Sequence, residues 1–108
     1  MEGNIIRTIS DALDRCGKAT LENELGTEEL LKEKEFFEHV WTKELEVDGR
    51  KIFHEYAIIS KRSGIVRLEM KALGAGIEPK AILLAKFHFN YLSRNAIASA
   101  MAAIIENS

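Results

Sequence analysis

Chemistry in a chain this short would have to come from a handful of side chains. The soft metal ligands are His39, His54, His88 and Cys16. A tetrahedral site needs three or four such groups brought together, usually signalled by a His-x-x-x-His, Cys-x-x-Cys or Glu-x-x-His spacing. None of these spacings occurs, so neither a metal nor another cofactor is expected. The serines at 10, 60, 63, 93 and 99 lack the Gly-x-Ser-x-Gly setting that sharpens a nucleophile. No catalytic residue is therefore assigned, and the reading leans away from an enzyme.

Three weaker constellations remain. Trp41, Lys43, His54 and Tyr56 would be neighbours across a hairpin and would line a small ligand pocket between sheet and helix. The competing reading has the lysine running past the rings to reach water. Lys61, Arg62, Arg67, Lys71, Lys80 and Lys86 would supply phosphate contacts to a nucleic acid. Gly74-Ala75-Gly76 is a short glycine-rich turn, but it lacks the spacing of a nucleotide-binding loop and reads as a connection.

Charge bears on the second of these. Residues 1–48 carry thirteen acidic and six basic side chains, a net of −7, whereas residues 49–108 carry four and nine, a net of +5. The overall charge is −2 and the pI about 5.9. A modest positive half beside a more negative one suits attraction between the halves, within or between chains, better than phosphate binding.

These residues must be held by secondary structure. Ile5, Ile6, Ile9, Leu13 and Cys16 recur at helical intervals, predicting a helix over about 4–16 stopped by Gly17. Thr27 before Glu28 and Glu29 predicts a short second helix to about Lys34. From Phe36 the period becomes two, and Asp48-Gly49 marks a tight hairpin because both residues tolerate positive φ. A two-residue turn pairs Val47 with Arg50, Leu45 with Ile52, Trp41 with Tyr56 and Phe37 with Ser60. Arg62-Ser63-Gly64 predicts a second hairpin, pairing Ile58 with Leu68 and Tyr56 with Met70. Trp41, Tyr56, Leu68 and Met70 then share one buried face. The other face carries charge but also Val40, Phe53, Ala57, Ile59 and Ile65.

After Pro79 no proline or glycine follows, which predicts a helix from 79 to about 106, apolar on all sides. Such a helix would run about 42 Å, longer than a compact chain of this size, whose radius of gyration is about 13 Å. It must protrude or break, and Ser93-Arg94-Asn95 is the place for a break.

The expectation is one α+β domain over 1–108: a helix, a short second helix, a three-stranded antiparallel meander and a long C-terminal helix on one sheet face. Helix, three strands, helix is also the element order of double-stranded-RNA-binding domains. Those domains start their second helix with a lysine cluster, whereas Lys80 and Lys86 here are separated by five apolar residues. No apolar run is long enough to span a membrane, and the lone cysteine has no internal disulfide partner, so a cytoplasmic protein is expected. The leading functional reading is a non-enzymatic homo-oligomeric binding protein, a dimer first, joined through Ile97, Met101, Ile104 and Ile105 and by part of the outer sheet face. Its alternatives are a nucleic-acid binder and a small-molecule binder or enzyme.

Overall fold

The computed structural model describes residues 4–23, 35–61 and 64–108. Helix α1 (Asn4–Asn23) precedes four strands, β1 (Glu35–Val47), β2 (Arg50–Lys61), β3 (Ile65–Leu73) and β4 (Ala81–His88), and helix α2 (Arg94–Asn107) follows. The strands form one antiparallel sheet in the order β1-β2-β3-β4. The class is α+β as expected, with four strands in place of three. The short helix anticipated between Thr27 and Lys34 lies outside the described residues.

The first hairpin turn and Gly64 of the second obey the backbone rules that predicted them; Arg62 and Ser63 lie outside the described residues. Asp48 and Gly49 sit at φ 51° and 76°, the pair of left-handed residues of a tight two-residue turn. Gly64 sits at φ 90°, and its N–H donates to the Lys61 carbonyl at 2.9 Å. Leu45 faces Ile52, Trp41 faces Tyr56, Ile58 faces Leu68 and Tyr56 faces Met70, all as expected.

The register departs at one residue. Between His39 and Trp41 the pairing slips, leaving Val40 as a bulge. Phe36, not Phe37, then stands opposite Ser60, and Phe37 pairs with Ile59. Because side chains alternate with period two, one inserted residue exchanges the faces of everything before it. Val40, expected outside, is buried, and Phe37, expected inside, is 69% exposed.

The C-terminal half holds the larger correction. Residues 81–88 are a strand, and the helix starts only at Arg94. Ser93 caps it, its hydroxyl accepting from the Ala96 N–H at 3.2 Å. The run Ala-Ile-Leu-Leu-Ala has good helix propensity. As a strand, however, it pairs with the otherwise open edge of β3, and tertiary context overrides a weak intrinsic preference. The all-round apolar pattern thus belongs to two different elements. Ile97, Met101 and Ile105 are fully buried, in one core with Ile5, Ile9, Leu13 and Cys16 of α1 and with Val40, Tyr56, Ile58, Val66 and Leu68 of the sheet. Ile104 packs against this core from its edge.

Helix α1 also outruns its forecast. Gly17 does not end it but sits inside it, where a Cβ would lie 2.2 Å from the Arg94 guanidinium. Arg94 bonds Asp14 at 2.7 Å and stands 5.7 Å from the centre of the Phe89 ring. The glycine thus admits the cation that ties the start of α2 to α1.

Two substitutions test this packing. Met101→Asp would bury an unpaired carboxylate, costing several kcal/mol out of a total stability of about 5–15 kcal/mol. Circular dichroism should show the variant largely unfolded, whereas a folded protein would place Met101 at a surface. Gly17→Ala displaces the flexible Arg94 tip and sacrifices a surface ion pair worth about 0–1 kcal/mol, while gaining about 1 kcal/mol of helix propensity. Its denaturation midpoint should therefore hardly move. With Arg94→Ala already in place, the same change should stabilise by about 0.5–1 kcal/mol.

Candidate interaction surface

The two faces of the sheet have different chemistry, and the bulge decides which residues go where. On the helix side, Lys43 faces His54 and Trp41 faces Tyr56, as the sequence anticipated. The polar atoms of Lys43 and Tyr56 are engaged with the end of α2. Lys43 Nζ donates to the Ile105 carbonyl at 2.9 Å and to the Ser108 main-chain oxygen at 2.8 Å. A helix C-terminus leaves its last carbonyls without partners and carries partial negative charge, so a lysine there satisfies both. The Ser108 hydroxyl donates to Ile105 O at 3.0 Å and can then accept from the Tyr56 hydroxyl. His54 lies edge-on to Tyr56, with ring centroids 6.3 Å apart, and its buried Nδ1 has no hydrogen-bond partner among the described residues. The four proposed pocket residues are thus brought together, but two of them clamp a helix end.

The outer face is built differently. Its middle is Ala57 and Ile59, nearly buried on the central strand β2. Phe37 stands beside Ile59 and His39 beside Ala57. Phe53, Ile65 and Leu83 are further exposed apolar residues of this face, at 37%, 38% and 48%. A shallow cavity of about 220 Å³ opens here, lined among others by Phe37, His39, Ala57, Ile59, Arg67 and Lys71.

Charges ring this apolar centre, and most are paired. Arg67 bonds Glu35 at 3.3 Å and Glu69 at 3.1 Å, and Lys61 stands 3.5 Å from Glu35. Lys51 pairs with Glu44 at 3.4 Å. Burial works to lower the pKa of the Arg67 guanidinium, but the hydrogen bonds and charges of Glu69 and Glu35 outweigh it, and the net shift is upward. His39 Nε2 and the Thr42 hydroxyl share a 2.8 Å hydrogen bond.

Of the proposed phosphate contacts, Lys61, Arg67, Lys71 and Lys86 share the outer face, and Lys86 stands opposite Arg67. Arg67 and Lys61 already have carboxylate partners, Lys71 faces Glu55 across the strands, and Lys86 lies on β4 with Lys80 just ahead of it. Arg62 lies outside the described residues. No cluster of three or more His, Cys, Asp or Glu able to hold a metal occurs among the described residues. Among the described residues, no helix is long and apolar enough to cross a membrane.

The reading from sequence missed Phe37 as an outer-face residue. The clue was present in Val40-Trp41, two adjacent apolar residues where the alternation changes phase. Phe36 and Val40 follow one parity, and Trp41 and Leu45 the other. Cys16 is buried as expected. Burial raises its thiol pKa above the ordinary 9.0, opposed by a hydrogen bond with Ser60. No family model matches the chain, and no match is found among curated proteins or solved structures.

The thiol gives a pH test. Once pH passes the ordinary value of 9.0, the unfolded chain ionises Cys16 while the folded chain keeps it protonated. The unfolded state then binds fewer protons, so stability falls as pH rises. Denaturation midpoints followed through this range should drop more for the natural chain than for Cys16→Ala. Parallel curves would mean that the thiol is not protected by the fold.

Proposed function

We propose that this chain is a non-enzymatic interaction module, acting as a homo-oligomer and offering its outer sheet face to an apolar segment of a partner protein. The observation that carries the reading is the exposed apolar set on that face. Phe37, Phe53, Ile65 and Leu83 stand in water on the same face as Ala57 and Ile59, with Glu55, Arg67, Glu69 and Lys71 interleaved among them. Several large apolar side chains exposed on one face, beyond the scattered ones that any surface carries, suit a protein-binding patch. Carboxylates interleaved with the cations make the same surface poor at holding a phosphate backbone, because the positive charge is already neutralised.

Phe37 is the residue to change, since its side chain contributes little to the core. Phe37→Glu should keep the melting temperature within a few degrees. It should also remove most of the fluorescence enhancement of anilinonaphthalene sulfonate, an apolar surface probe. Undiminished probe binding would take the outer face out of the reading. Light scattering should give a multiple of 12.2 kDa for both proteins, and a 12.2 kDa monomer at tens of micromolar would overturn the homo-oligomer.

A further inference from the structure

The charges that line the outer-face cavity of about 220 Å³ differ in how they are occupied. Arg67 bonds both Glu35 and Glu69, and Lys61 stands by Glu35, so two cations here balance two carboxylates. Glu55 and Lys71 line the same cavity and stand directly opposite each other on β2 and β3. Neither is in an ion pair among the described residues. An exposed pair of this kind contributes little even when it closes, so a ligand loses little by taking each partner for itself. Next to Glu55 along this face of β2 come Ala57 and Ile59, both nearly buried, and Phe37 stands beside Ile59, 69% exposed. Two unspent charges of opposite sign thus sit at one end of an apolar floor.

We propose that this cavity binds a small zwitterion with an apolar tail, an α-amino acid such as leucine. Its ammonium group meets Glu55, its carboxylate meets Lys71, and its side chain lies across Ala57 and Ile59 toward Phe37. The proposal goes beyond the protein-partner reading and does not rest on it. Charge selects the class of ligand. A simple cation would leave Lys71 unpaired and a simple anion would leave Glu55 unpaired, whereas a zwitterion serves both and adds no net charge. Residues paired across antiparallel strands have Cα atoms about 4.5–5.5 Å apart, so both side chains can reach the two charged groups of one α-carbon. Size selects as well. A cavity of about 220 Å³ falls below the ~300–1,000 Å³ of drug-sized sites, the scale of one amino acid and not of a nucleotide. The main chain beneath is taken up by strand pairing. The floor therefore offers a polar tail no hydrogen bond, whereas an apolar tail gains by leaving water.

Amide NMR titrations with leucine, leucinamide and isocaproate test the proposal. Leucinamide keeps the ammonium and lacks the carboxylate, and isocaproate is the converse. Millimolar leucine should move the signals of Glu55, Ala57, Ile59 and Lys71. Each analogue should bind about tenfold more weakly, through loss of one charge-assisted contact. Glu55→Gln should weaken leucine and leucinamide and leave isocaproate unchanged. Lys71→Met should weaken leucine and isocaproate and leave leucinamide unchanged. Both variants should melt within a few degrees of the natural chain, because neither side chain belongs to the core. Analogues that bind as well as leucine, or variants that weaken all three ligands alike, overturn the assignment. So does a spectrum that leucine leaves unmoved. Each of these results leaves the protein-partner reading standing, since that reading is tested separately at Phe37 with an apolar probe.

Discussion

The bulge at Val40 is the constraint on which the division of labour between the two sheet faces depends. Strand β1 has to serve two surfaces that want opposite parities. Near the hairpin, Trp41 and Leu45 belong inside with Tyr56 and Ile52. Near α1, Phe36 and Val40 belong inside with the core. A regular strand cannot meet both demands, and an inserted residue can. The same slip brings Glu38 to the helix side, where it accepts from Arg15 at 2.6 Å, and sends Phe37 to the outer face. A second irregularity at Leu84 does similar work in β4, letting Ile82 and Phe87 both face inward.

Helix α2 is fixed at both ends by side chains from elsewhere in the chain. At its start Arg94 reaches across Gly17 to Asp14. At its end Lys43 takes two carbonyl oxygens. Between these points Ile97, Met101 and Ile105 are in the core. The ion pair at the start is exposed and contributes little by itself. The lysine at the end does more, because it satisfies carbonyls that the helix cannot.

Much of this was legible in the sequence. Positive φ at Asp48, Gly49 and Gly64 follows from the residue types, and the turns then fixed the pairing of Trp41, Tyr56, Leu68 and Met70. The stripe of α1 was legible for the same local reason, apart from Ile6, which is 42% exposed. The strand at 81–88 was hidden because Ala, Leu and Lys favour helix locally, whereas the deciding term was the free edge of β3, visible only once the sheet exists. Gly17 misled for a related reason: a glycine that ends a helix and one that admits a neighbouring side chain look alike until the neighbour is known. Of the site, the Lys43–His54 and Trp41–Tyr56 pairs were legible. The clamp on α2 was not, because it depends on where that helix ends.

The order of the strands also bears on how the chain finds this structure. Each strand pairs with its neighbour in sequence through a short connection, so the sheet can grow by successive hairpins with little loop entropy to overcome. The costly closure is the meeting of α1 with α2, marked by Asp14 and Arg94, 80 residues apart. Contacts of such separation form late when a meander can zip up ahead of them. The sheet then exposes its apolar inner face until α1 and α2 dock, and folding slows at that docking step, far from either turn.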